Sequence, residues 1–314
     1  MKDFRKSIVM LLILLFVLSV TGCSSNNNDS SKNQPEQKAP VADKAKDTLF
    51  VSADWVKTNL DQTIVIDART DKEYNAGHIP GAINAPWQYF ANMNGKPGDT
   101  DWGTLLPQAE LASKIGALGI NGEKTVVTYA APPGWGEDGR VAWTLKSAGI
   151  SKVMMLEGGW KAWENAGGEA SKETPAPKAV SFKISAMDSS LNATTDWIKE
   201  NSQNIKIVDS RSKKEYDGAT DYGEARGGHI PQAINIPFEN MFNKDGSLKS
   251  SAELTKMFTD AGLKPGDQIV TYCTKGIRSG YMALVLRMTG FENARNYDAS
   301  FYNWAGDKSL TVDK

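Results

Sequence analysis

One stretch of this chain is written twice. Asp54–Tyr74 returns 142 residues later as Asp196–Tyr216, with nine of 21 positions identical. His78–Pro86 (HIPGAINAP) returns as His229–Pro237 (HIPQAINIP), seven of nine identical, now at an offset of 151. The second copy therefore carries nine extra residues, within Asp217–Gly228. VVTYA at 126–130 lies over IVTYC at 269–273, and Trp163 lies over Trp304. Matches that keep their order while the offset drifts slightly mean a duplicated domain, so whatever fold one copy takes the other must take as well. A length of 314 residues agrees with two domains. We place the first at 48–170 and the second at 187–314, with 171–186 as the linker, where KETPAPK reads as extended chain.

Within each copy, β-branched runs alternate with helical patterns. TIVIDAR, KTVVTYA, IKIVDSR and DQIVTYC read as strands. VAWTLKSAG and GYMALVLRMTG are apolar at helical spacing and stop at Gly. The expected class is α/β, each domain a parallel sheet with helices on both faces. In such sheets ligands meet the carboxyl ends of the strands. The residue after VTY lies at such an end in both copies: Ala130 in the first, Cys273 in the second.

The N-terminus follows a different logic. Lys2, Arg5 and Lys6 precede an apolar run, Ile8–Val20, of 13 residues. That is short of the ~20 residues a membrane-spanning helix needs and has the proportions of a secretory signal peptide. Val20-Thr21-Gly22-Cys23 resembles the lipobox of bacterial lipoproteins, in which the cysteine is acylated and becomes the mature N-terminus. Residues 1–22 are then the leader and 23–47 a lipid-bearing Cys23 followed by a polar tether with too few apolar side chains to pack. The expected location is outside the cytoplasm, at the cell membrane.

Composition serves mainly to exclude. A formal charge of −1 is not that of a strongly basic nucleic-acid binder. Two cysteines form neither a disulfide-rich scaffold nor a four-thiolate zinc site. An exported protein with one unpaired thiol invites the question of its use. Cys273 sits between a buried strand and a helix, in Cys273-Thr274-Lys275-Gly276-Ile277-Arg278-Ser279. Backbone N–H groups of a tight loop, the positive end of the helix and two cations all favour thiolate over thiol. Gly276 lets the loop curl without a Cβ clash.

With these residues in view, both copies resemble rhodanese (sulfurtransferase) domains, and residues 48–310 resemble a tandem thiosulfate or 3-mercaptopyruvate sulfurtransferase. The matching motifs are Asp-x-Arg-x-x-x-Glu-Tyr at 67–74 and 209–216, Gly-His-Ile-Pro-x-Ala-Ile-Asn at 77–84 and 228–235, and Cys-x-x-Gly-x-Arg-Ser at 273–279. The resemblance implies that Cys273 takes a sulfane sulfur from a small anionic donor, holds it as a persulfide and passes it to a thiol or cyanide, without a cofactor. It implies donor binding by the Thr274–Ser279 loop, with Lys275 and Arg278 favouring thiosulfate. Glu215 departs from the Arg found at that position in many two-domain relatives, so Arg226, in the second copy's insertion, is the substitute candidate. Asp209 and Arg211 are candidate supporting residues, and Arg211 and Glu215, like Arg69 and Glu73, are spaced to pair on a helical turn.

The first copy, with Ala130 and a longer loop carrying Glu137 and Asp138, is expected to be silent. It would form a wall of the cleft and half of an internal pseudo-dimer within a monomer, Trp135 offering a rival binding role. His78 and His229 recur in both copies and read as turn supports; two histidines in separate domains with one thiol make no metal site. Trp160, Trp163 and Trp304 read as core. Two alternatives stand beside the transferase: a module that delivers sulfur without turnover, and a cysteine phosphatase or arsenate reductase. The latter conflicts with four residues, not five, between Cys273 and Arg278.

Overall fold

In the computed structural model, residues 43–314 are described, and the leader, Cys23 and most of the expected tether lie outside them. The first copy runs β1 (Phe50–Val51), α1 (Ala53–Asn59), β2 (Thr63–Asp67), α2 (Asp71–Ala76), β3 (Ile83–Asn84), α3 (Gln108–Ala117), β4 (Thr125–Tyr129), α4 (Glu137–Ser147), β5 (Val153–Leu156) and α5 (Gly159–Asn165). The second repeats it: β6 (Asn192–Ala193), α6 (Thr195–Asn201), β7 (Ile205–Asp209), α7 (Lys213–Tyr216), β8 (Ile234–Asn235), α8 (Ser251–Asp260), β9 (Gln268–Tyr272), α9 (Ile277–Met288), β10 (Ala294–Tyr297) and α10 (Ser300–Gly306). Both sheets are wholly parallel and share one order, β1-β5-β4-β2-β3 and β6-β10-β9-β7-β8. The expected duplicated α/β class is what the chain adopts.

The outer face of each sheet has its own core, around Val56, Tyr129 and Trp163 in the first copy and Ile198, Tyr272 and Trp304 in the second. The inner faces share one core that runs from domain to domain. Helices α4 and α9 fill it, packed against each other. Both are buried almost all round; α9 is apolar on most sides, whereas α4 also buries Asp138, Arg140, Thr144 and Ser147. They approach closely because each carries a glycine at the crossing. A Cβ on Gly139 would lie 2.3 Å from Cδ2 of Tyr281, and one on Gly280 would lie 3.7 Å from Cβ of Trp143 and from Cα of Arg140.

The repeated motifs are joints. Asp67 and Asp209, at the ends of β2 and β7, each take a forked pair of bonds from the arginine two residues on, Arg69 or Arg211, at distances of 2.6–3.1 Å. Each also accepts from the tyrosine ending the neighbouring strand, Tyr129 at 2.5 Å and Tyr272 at 2.6 Å. The arginines then reach the carbonyls of Gly77 and Gly228. The expected helical pairing of Arg69 with Glu73 and Arg211 with Glu215 does not form. The glutamates instead close capping boxes with Thr70 and Ser212 at the starts of α2 and α7. His78 and His229 stack on Tyr74 and Tyr216, ring centroids 3.7 Å apart in both cases, with Nδ1 near the same tyrosines' carbonyls. Trp163 and Trp304 are buried, while Trp160 is half-buried and carries the Arg69 guanidinium on its face.

Two connecting segments are more ordered than their composition suggests. Between α5 and β6 the chain is extended, yet Val180 donates to the Gly116 carbonyl and Ile184 is buried. The tether expected to run to residue 47 ends earlier. Asp43 accepts from the backbone N–H and the hydroxyl of Ser251, at the first turn of α8. Lys46 is buried, pairs with Glu157 of the first domain and donates to the Leu248 carbonyl of the second. No helix among the described residues is long and apolar enough to cross a membrane.

Candidate functional site

Strand β9 delivers Cys273 to the base of a cleft of about 390 Å³, where the residue is 1% exposed. The loop from Cys273 to Gly276 turns directly into α9. Gly276 has φ +81, and a Cβ there would strike the Asp298 carbonyl at 2.6 Å. The turn aims the backbone N–H groups of Lys275 and Ser279 at the sulfur, and Ser279 Oγ lies 3.6 Å from Sγ. Burial pushes the thiol's pKa up, but the Arg278 charge and these donors outweigh it and hold the thiol below its ordinary value.

The cysteine's backbone is also held. Its N–H donates to Ser300 Oγ (3.2 Å), whose hydroxyl donates to the Tyr297 carbonyl (2.7 Å). Ser300 adopts φ +50, left-handed for a non-glycine residue. Arg140, from the first domain, donates to the Gly276 carbonyl at 3.2 Å and pairs with Asp298 at 2.5 Å. Asn296 donates to the same carbonyl, and it accepts from Ser279 Oγ. The loop is thus fixed from both domains.

The two loop cations are not equivalent. Arg278 places both terminal nitrogens on Glu215 (2.8 and 2.7 Å), and one also meets Thr274 Oγ1 at 2.9 Å. Burial works to raise the pKa of Glu215, yet the Arg278 pair and the Ser212 donors bring it down to about 2. The Arg278 guanidinium lies under the Trp135 ring, 4.8 Å from its centroid. Its positive charge acts on the sulfur, but its fork is occupied. Both terminal nitrogens are thereby engaged within the protein. Lys275 has no carboxylate partner among the described residues; its ammonium sits 4.8 Å from the Trp87 ring and 4.3 Å from the Trp102 ring. Burial lowers its pKa, and the Cys273 charge works in the opposite direction.

Arg226 is a correction. All three guanidinium nitrogens bind carbonyls at the end of α10 and beyond it, those of Trp304, Ala305, Asp307 and Leu310. The side chain therefore clasps the C-terminal segment and takes no part in lining the cleft. Asp209 and Arg211 also stay out of the cleft; they fix the ends of β7 and β9 beneath it. Thr274, Lys275, Ile277 and Arg278 do line it.

Much of the wall is not anticipated by the sequence. Trp87, Gln88, Pro97, Trp135 and Glu137 come from the first domain, Tyr222 and Tyr302 from the second. The first domain's long loop is thus a wall of the cleft beside Cys273, and Trp135 belongs to that wall. Its own counterpart cleft, beside Ala130, has no thiol at the strand end and shares Trp87, Gln88 and Glu137 with the first. The place of Tyr222 in the second copy's insertion is a signal that could have found it; nothing within either copy's pattern points to Trp87 or Arg140.

A family model for the rhodanese-like domain matches residues 52–166 and again 194–307. A provisionally named thiosulfate sulfurtransferase of Saccharopolyspora erythraea is 33% identical over 280 residues, 86% of this chain and 97% of that protein. The sulfur carrier protein TtuD of Thermus thermophilus is 32% identical over 282 residues, 85% of this chain and 96% of that one. Among solved structures, wild-type EanB superposes with a TM-score of 0.78 at 23% identity, covering 88% of this chain and 71% of the other. The anaerobic ergothioneine biosynthesis enzyme from Chlorobium limicola, complexed with trimethyl histidine, gives a TM-score of 0.76 at 24% identity over 86% of this chain and 71% of the other.

Proposed function

The chain belongs to the rhodanese-like family of sulfurtransferases, and on that premise we propose that it carries a sulfane sulfur as a persulfide on Cys273. The sulfur comes from thiosulfate, or from 3-mercaptopyruvate, and goes to a thiol or to cyanide. The observation that carries this reading is Cys273 at the floor of the cleft, with Ser279 Oγ 3.6 Å from its sulfur and the Arg278 charge beside it favouring the thiolate. The thiolate attacks the donor's outer sulfur, and the donor leaves with the electron pair of the broken S–S or C–S bond. The same donors that hold the thiolate then hold the persulfide anion. Lys275 is the cation left to meet the donor's negative end, since Glu215 already occupies both terminal nitrogens of Arg278.

Incubation with thiosulfate should add one sulfur atom to the mass of the protein, at Cys273, and Cys273→Ser should abolish both the gain and the transfer to cyanide. Transfer by the serine variant at more than a few per cent of the parent rate would remove Cys273 from its role. Delivery without turnover is the second reading, supported by the name of the Thermus relative; steady-state formation of thiocyanate from thiosulfate and cyanide decides between the two.

The same proposal includes a lipid anchor on Cys23, supported by the order of apolar run, small residues, cysteine and polar tract. Cys23→Ala should move the protein from the membrane to the soluble fraction. Lipid labelling that persists in that variant would rule the anchor out.

A further inference from the structure

Among the described residues three large apolar side chains are substantially exposed: Met93, Trp135 and Tyr222. Two of them meet at the cleft. Trp135 (43% exposed) comes from the first domain and Tyr222 (41%) from the second domain's insertion. Their rings meet edge to face, centroids 5.3 Å apart, and both line the cavity above Cys273. Trp87 and Tyr302 add two more aromatic rings to its wall. Exposed aromatic surface gathered in a concave site spanning two domains is a feature of ligand recognition.

Size points the same way. On this measure a single water needs about 10–15 Å³ of cavity, so an inorganic anion of five heavy atoms fills only a fraction of about 390 Å³. The sulfur donor does not account for the aromatic walls, which leaves them to the second reactant. Cys273 is 1% exposed at the floor of the cleft, so an acceptor thiol has to enter between these rings, which favours a small molecule over a group fixed on a folded surface. Charge adds little demand for a polyanion, because Arg278 is paired with Glu215 and Lys275 faces a cavity that Glu137 also lines.

We propose that the sulfur acceptor is a small organic thiol with an aromatic or similarly flat apolar body, held among Trp87, Trp135, Tyr222 and Tyr302. This rests on the sulfurtransferase reading. The acceptor thiolate attacks the outer sulfur of the Cys273 persulfide. One S–S bond forms as another breaks, the electron pair returns to Cys273 as thiolate, and the acceptor leaves as its own persulfide. No further oxidant or reductant is required.

The test uses the purified full chain, loaded with thiosulfate or inorganic polysulfide, and follows loss of the bound sulfur to 2-phenylethanethiol and to 2-mercaptoethanol. The two probes share a two-carbon primary thiol and differ in what it carries, a phenyl ring in one and a hydroxyl in the other. The rate ratio should favour the phenyl probe by about tenfold, equivalent to about 1.4 kcal/mol. Trp135→Ala and Tyr222→Ala should bring that ratio towards one; the ratio is read within each variant, so a change in overall rate does not disturb it. A ratio near one in the parent, or one that neither substitution lowers, overturns the proposal. A parent protein that gains no sulfur mass on loading fails earlier and at a different measurement, and that result would sink the sulfurtransferase reading itself.

Discussion

Arg278 and Glu215 illustrate what a string of residues hides. In sequence, Arg278 adds positive charge to a loop and Glu215 is an acidic departure in a distant motif. In space they are one ion pair, 6% and 3% exposed at the side chain. Within that pair Arg278 acts by its charge, lowering the pKa of Cys273 from inside the wall. Arg278→Ala should therefore move the pH profile of Cys273 alkylation upward, with slower labelling at neutral pH; an unmoved profile would assign the thiolate to the backbone N–H groups alone. Glu215 carries its own pH signature. Its pKa falls from the ordinary 4.5 to about 2 on folding, so its contribution to stability is present above about 4.5 and is lost as pH falls towards 2. Denaturation midpoints measured across that window should fall less steeply for Glu215→Gln than for the parent. Cys273 and its loop are legible at this scale, because strand, thiol, glycine and cations are consecutive. Arg226 misleads for the opposite reason: closeness in sequence to a motif says nothing of where a long side chain reaches, and this one reaches the end of α10.

At the level of elements, the duplication carries nearly all of the fold. Strand runs ending in Asp, helices ending in Gly and the repeated joints lie within each copy, where local pattern is informative. The α4–α9 contact lies between copies, and no pattern inside one copy declares its partner. An apolar stripe on each helix is visible in the sequence, but whether it faces a sheet, another helix or both is not. Gly139 and Gly280 sit at that contact, and Gly139 is the place to disturb it. Gly139→Val would drive a side chain into the Tyr281 ring, whose nearest atom is 2.3 Å from where the new Cβ would stand. Overpacking of this kind costs about 1–3 kcal/mol, to be read in chemical denaturation. Because Arg140 follows Gly139 on the same turn and holds the Gly276 carbonyl, sulfur transfer should fall as well. A variant of parental stability and activity would show that the helices can slide without cost.

At the scale of the whole described chain, two sheets surround a shared inner core, and residues 43–46 lie over both domains. Two truncations separate that segment from the expected tether. Removal of residues 1–42 should leave stability unchanged, while removal of 1–48 deletes the Asp43 and Lys46 contacts and should cost about 1–3 kcal/mol. Equal stability of the two truncated forms, measured by urea titration, would reduce the segment to a passive lead-in. Composition does not mark where tether ends and docked chain begins, because Asp43 and Lys46 are polar residues whose partners, Glu157, Leu248 and Ser251, lie more than a hundred residues away.

That distance imposes an order on assembly. During synthesis Asp43 and Lys46 emerge early, long before the chain that will receive them exists. Glu157 arrives with the end of the first domain, and Leu248 and Ser251 only when the second is well advanced. A contact that closes so long a loop forms late. The earliest residues of the described chain are therefore set to be among the last to settle, and their docking would report that both halves have been completed.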